Sequence, residues 1–112
     1  MEYSMTREEL ISKMMISTVS AMVDKLYKNN HKGGFEHLGI DTLFHCLEDE
    51  VKELSDELCS IPLDGDAIDR IRLEAADVAN FAGMIIYRCG VIADEFNKEA
   101  KETDKAKENG GA

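Results

Sequence analysis

Residues 67–89 read AIDRIRLEAADVANFAGMIIYRC, and the fold turns on this stretch. It contains no proline. Asp66 precedes it as a helix N-cap, and Gly90 follows it as a C-terminal stop. Ile68, Ile71, Leu73, Ala75, Ala76, Val78, Ala79, Phe81, Ala82, Met84, Ile85 and Ile86 cover most of the circumference of the predicted helix. A helix that is apolar nearly all round is surrounded by protein. A chain of 112 residues can hardly surround it alone, so a homo-oligomer is expected. Glu74 and Asp77 are the acids within the apolar part of this helix.

Upstream, residues 42–59 predict a second helix with Asp41 as N-cap. Leu43, Leu47, Leu54 and Leu58 fall on one narrow stripe at helical spacing. Glu50 lies inside that stripe and Glu53 at its edge. Pro62 and Leu63-Asp64-Gly65 end the segment in a turn. A first helix is expected over residues 7–28, where Thr6 and Glu9 form a capping box. Ile11, Met14, Met15, Thr18, Val19, Met22 and Leu26 repeat at helical spacing, with the methionines as adaptable core filler. Residues 29–39 form a loop broken by Asn29-Asn30 and Gly33-Gly34, and this loop also holds His31, Lys32, Phe35 and His37. A fourth helix is expected from Val91 to about Lys107, anchored by Val91, Ile92 and Phe96. The expected architecture is an all-α bundle of about four helices, completed by homo-oligomerisation. One domain covers residues 1–108, with a flexible tail at 109–112.

The net charge of −10 makes nucleic acid an unfavourable partner. It does not oppose a small anionic substrate, because a bound cation reverses the local sign. Cys46, Cys59 and Cys89 are widely spaced and odd in number, which suits reduced thiols in the cytoplasm. The run 14–23 is too short to span a bilayer, and residues 1–10 lack the pattern of a signal peptide. No membrane association is expected.

Two acidic pairs carry the chemistry. Glu50 and Glu53 form E-x-x-E, and Glu74 and Asp77 form E-x-x-D. Residues three apart on a helix are neighbours, so each pair presents two carboxylates to one point. Glu50 and Glu74 occupy positions where the pattern calls for an apolar residue, and a buried carboxylate is costly unless neutralised. A divalent cation is the simplest neutraliser, and hard oxygen ligands favour Mg²⁺ or Mn²⁺ over zinc. Four carboxylates exceed the charge of one ion, which calls for further ions or for basic groups with a metal-bound substrate. A di-iron carboxylate site needs E-x-x-H, which does not occur here, and the histidines and cysteines lack zinc spacing.

The segment Glu50-Val51-Lys52-Glu53-Leu54, a spacer, then Glu74-Ala75-Ala76-Asp77-Val78 resembles the MazG-like all-α nucleoside triphosphate pyrophosphohydrolases. The run EAADVANFAGM at 74–84 is similar to a form common in small bacterial and phage members. The loop His31-Lys32-Gly33-Gly34-Phe35 resembles a segment that precedes the first acidic helix in that subgroup. The likeness spans roughly residues 30–90.

The resemblance implies Mg²⁺-dependent cleavage of an NTP or dNTP to the monophosphate and pyrophosphate, by a homodimer or homotetramer. Purine dNTPs (dGTP or dATP) are the best guess for the substrate. It implies Glu50, Glu53, Glu74 and Asp77 as metal ligands, with Asn80 reaching metal, phosphate or sugar. Glu53 is also placed to orient or deprotonate the attacking water. Lys32 is the first choice of partner for the pyrophosphate, followed by Arg70 or Arg88. Phe35 is a candidate for stacking on the base, and His31 or His37 for bonding its edge. The expected location is the cytoplasm, that of the host if the source is viral. The alternatives are a non-catalytic helical oligomerisation module, whose acids are only solvated faces, and a degenerate member that binds nucleotide without turnover.

Overall fold

The computed structural model describes residues 4–29, 34–59 and 62–110, with residues 108–110 described through their backbone. Three helices occupy them: α1 (Arg7–Lys28), α2 (Ile40–Leu58) and α3 (Gly65–Gly110). No strand occurs among the described residues. The chain is all-α, as the periodicity requires.

The starts of the helices follow from local chemistry. At α1, the Thr6 side chain accepts a hydrogen bond from the Glu9 amide at 3.1 Å, which satisfies one of the orphan donors of the first turn. Glu8 and Glu9 in the first turn, with Lys25 and Lys28 in the last, complement the helix dipole. α2 starts two residues before the expected Thr42. Gly39 is its N-cap and makes no side-chain cap bond, while Asp41 stands in the first turn instead. α3 also starts earlier than expected. The carboxylate of Asp64, rather than Asp66, accepts from the Ala67 amide at 2.8 Å.

The expected break at Gly90 does not occur. α3 continues through it for 46 residues, so three helices stand where about four were expected. A lone glycine in a helix costs only about 1 kcal/mol relative to alanine. No proline follows, and Ala93, Glu95, Lys98, Glu99 and Ala100 beyond it are good helix formers. Val91 and Ile92 remain half-buried just beyond it. Further on, Asp94 with Lys98, and Lys98 with Glu102, fall four residues apart, a spacing that supports a solvated helix. At about 1.5 Å per residue α3 is roughly 69 Å long, and it sets the 74 Å length of the molecule. Helix also extends to Gly110, so residues 109–110 of the expected tail are helical.

α3 is the central element, and α1 and α2 each pack on it rather than on each other. The core is small. Among the described residues, Leu43 is the only large side chain that is fully buried, joined by Ala21, Ala67 and Ala76. Asp77 and Asn80 are buried as well, at 7% and 6% exposure. The stripe on α1 that was read as core filler is exposed in the single chain: Met14 is 58% and Met15 50% exposed. Leu10, Ile11, Ile16, Val19, Val23 and Leu26 are exposed beside them. The chain presents 8929 Å² to solvent, whereas a compact monomer of its mass presents about 6,200 Å². α3 contains one window of mean hydropathy 1.3 that is long and apolar enough, by length and composition, to cross a membrane.

Candidate functional site

The middle of α3 meets the last two turns of α1 and the centre of α2. Glu50 from α2 and Glu74 and Asp77 from α3 bring carboxylate oxygens together there, each within 4.8 Å of the others. The i, i+3 spacing sets Glu74 and Asp77 on one face of α3, and Glu50 sits on the inward stripe of α2. Glu50 Oε2 and Glu74 Oε2 are fully buried and have no hydrogen-bond partner.

Burial, followed by the charge of Asp77, pushes the Glu50 carboxyl up to about 8. Burial, followed by the charge of Glu53, raises the Glu74 carboxyl as well, and Lys25 opposes that rise. Glu53 is exposed and lies outside the tight triad. Its charge nonetheless acts on both Glu50 and Glu74, so all four acids of the two motifs are neighbours. Without a cation, burial and like charge favour the protonated form of Glu50 and Glu74 over the charged one.

The donor set fits a hard divalent cation. Ligands of Mg²⁺ sit at about 2.1 Å, so the oxygens around one ion are at most about 4.2 Å apart. A triad already within 4.8 Å closes on an ion through small side-chain rotations. The two orphaned, buried carboxylate oxygens are the atoms such an ion would satisfy.

The end of α1 and its C-cap Asn29 contribute further residues. Lys25 Nζ lies 3.3 Å from Asp77 Oδ2, with the lysine side chain 19% exposed. Asn29 Nδ2 donates to Asp77 Oδ1 at 3.4 Å. Asn80, one turn beyond Asp77, donates from Nδ2 to the Met22 carbonyl at 3.1 Å. That bond fixes the amide and leaves Asn80 Oδ1 buried without a partner. Lys25 gave no local signal, because its partner lies on another helix, whereas Asn29 stood in the loop that the sequence already marked.

A cavity of 370 Å³ opens beside the acids. Glu50, Asp77, Asn80 and Asn29 form its polar side, and Leu26, Phe35, Leu38, Phe81 and Met84 its apolar side. Phe35 packs edge-on against Tyr87, with ring centroids 6.0 Å apart. An apolar pocket of this size with a few convergent polar groups suits a small ligand. His31 and Lys32, read as substrate contacts, lie outside the described residues; Gly34, two residues on, lines the cavity. Arg70 and Arg88 are engaged elsewhere. Arg70 pairs with Glu57 at 3.1 Å, and Arg88 donates to the Glu36 carbonyl at 3.2 Å. His37 is exposed and does not line the cavity.

The chain matches no protein-family model, no curated protein and no solved structure. The acid constellation and its cavity are therefore the grounds for a functional reading.

Proposed function

We propose that this chain is a Mg²⁺-dependent nucleoside triphosphate pyrophosphohydrolase of the MazG-like type, with Mn²⁺ as a substitute ion. The observation that carries the reading is the convergence of Glu50, Glu74 and Asp77 beside a cavity with one aromatic side. The burial of Glu50 Oε2 and Glu74 Oε2 counts against treating these acids as solvated helix faces. Purine deoxynucleotides are the preferred substrates in this reading, with the base among Phe35, Phe81 and Met84.

Glu50, Glu74 and Asp77 hold the cation, with Glu53 completing the set. When bound there, Mg²⁺ would neutralise charge on the phosphates and lower the pKa of a nearby water molecule. Glu53, exposed at the rim, orients that water and takes its proton. The water oxygen bonds to the α phosphorus as the bond to the α,β-bridging oxygen breaks. Pyrophosphate leaves with that electron pair, the monophosphate remains, and the proton passes from Glu53 to solvent. Asn80 Oδ1 accepts a hydrogen bond from a donor on the sugar or base. Lys32 and His31 contact the polyphosphate and the base edge.

The protein acts as a homodimer or homotetramer. The supporting observation is the apolar face of α1 together with the excess solvent-exposed area of the single chain. A second copy of the chain, laid on α1, covers that face. The protein works in the cytoplasm, without membrane or nucleic acid. Its three cysteines are free, two of them exposed, which suits a reducing compartment.

The test is release of monophosphate and pyrophosphate from the eight common NTPs and dNTPs, with and without Mg²⁺. Metal-dependent release is expected, strongest with a purine dNTP. In parallel, Glu53→Gln should lose turnover while Glu50, Glu74 and Asp77 still bind Mn²⁺, more weakly than in the parent. No turnover of any nucleotide in Mg²⁺ or Mn²⁺ rules the activity out for these substrates.

A further inference from the structure

Lys25 is the one cation within ion-pairing distance of the acid triad among the described residues, and it reaches the triad from α1. Its Nζ lies 3.3 Å from Asp77 Oδ2. The other Asp77 oxygen accepts from Asn29 Nδ2 at 3.4 Å, so both oxygens of this buried carboxylate are occupied by the end of α1 and its C-cap. A divalent cation that used Asp77 would compete for the same oxygens. The lysine stem is flexible, and its ammonium is a mobile point charge with three donors. Its side chain is 19% exposed, at the end of α1 from which Leu26 and Asn29 line the cavity. The second mark of a ligand site is Asn80 Oδ1, buried and unpartnered on the wall of the same cavity.

We propose that Lys25 is a resident counter-ion that exchanges partners: it neutralises Asp77 while the site is empty, and turns to the polyphosphate of the substrate once a divalent cation takes Asp77. This rests on the reading of the acids as a divalent-cation site. Two consequences have opposite signs. Removal of the ammonium removes a competitor of the metal, so the metal alone binds more tightly. It also removes a phosphate partner, so a polyphosphate binds more weakly. A purely structural loss at Lys25 weakens both.

The experiment uses the full chain and its Lys25→Met and Lys25→Arg variants, with melting curves to establish that each is folded. Mn²⁺ alone is titrated by electron paramagnetic resonance. Inorganic tripolyphosphate is titrated calorimetrically in saturating Mg²⁺. Lys25→Met should bind Mn²⁺ about tenfold more tightly and tripolyphosphate about tenfold more weakly, the scale expected for one partly buried charge. Lys25→Arg, which keeps the charge, should hold tripolyphosphate close to the parent value. Unchanged or weaker Mn²⁺ binding by Lys25→Met overturns the exchange, as does unchanged tripolyphosphate binding. If the parent chain itself binds no Mn²⁺, the metal site fails first, and that outcome is distinct from both.

Discussion

Glu50 on α2 and Glu74 on α3 face each other with carboxylate oxygens within 4.8 Å, and each keeps one oxygen buried without a partner. Two acids in that position repel each other and resist desolvation. Glu50→Gln or Glu74→Gln removes a buried ionisable group and keeps the shape. Each should raise the melting temperature of the metal-free protein by roughly 5 °C, the shift that about 1 kcal/mol gives a domain of this size. Each should also abolish the rise in melting temperature that Mg²⁺ gives the parent. Differential scanning fluorimetry in EDTA and in Mg²⁺ measures both. A lower metal-free melting temperature in both variants would show that these carboxylates stabilise the fold.

The pH dependence follows from the same pair. The Glu50 carboxyl stands at about 8 in the folded chain, against an ordinary 4.5. The folded state therefore binds a proton that the unfolded state has released between these values, and stability falls as pH rises through that window. The contribution is fully present below pH 4.5 and is lost above about 8. The raised Glu74 acts in the same direction. Mg²⁺ competes with those protons, so the stabilisation it confers should grow across the same range. Melting curves between pH 5 and 9 in EDTA and in Mg²⁺ should diverge as pH rises; parallel curves would show that the acids take up neither protons nor metal.

The exposed face of α1 bears on assembly. Met15 and Val19 lie four residues apart on it, at 50% and 49% exposure. A paired Met15→Glu, Val19→Glu substitution puts two charges in the proposed contact between copies. Light scattering coupled to size exclusion should show a homo-oligomer in the parent and a shift to monomer in the variant, with reduced stability. A parent chain that runs as a monomer at micromolar concentration would remove the assembly proposal.

Gly90 tests the continuity of α3. Nothing lies within 4 Å of a Cβ added there, and its backbone is not in the left-handed region that favours glycine. Gly90→Ala should therefore stabilise the chain by about 0.5–1 kcal/mol. Chemical denaturation measures this, and a destabilised variant would show that the helix ends at this residue.

The fold was legible where the deciding chemistry is local. Thr6 and Glu9 announced the start of α1, and helical spacing brought out the leucine stripe of α2 and the apolar run of α3. It was less legible where two local signals compete. Asp64 and Asp66 both suit an N-cap, and only the path of the chain chooses the former. Gly90 reads as a stop because glycine often is one, yet the good helix formers beyond it, from Ala93 to Ala100, outweigh its cost. The α1 stripe predicted burial, but in the single chain it is exposed, because periodicity marks an apolar face without saying what covers it. In the site, spacing nominated Glu50, Glu74 and Asp77, whose oxygens do converge. Glu53 belongs to the same motif but stands at the rim. Lys25 was invisible, since what marks it is a contact with Asp77 across the fold, and Asn29 stood out only as a loop residue, not as a partner of Asp77.

The measurement closest to the chemistry is ³¹P NMR of the products formed from a purine dNTP and Mg²⁺ in H₂¹⁸O. Attack at the α phosphorus puts the heavy oxygen into the monophosphate and leaves the pyrophosphate unlabelled. That distribution is expected here, and it should disappear in EDTA and in Glu74→Gln. Label in the pyrophosphate, or release of orthophosphate and a diphosphate, would place the attack at another phosphorus and refute pyrophosphohydrolysis by this site.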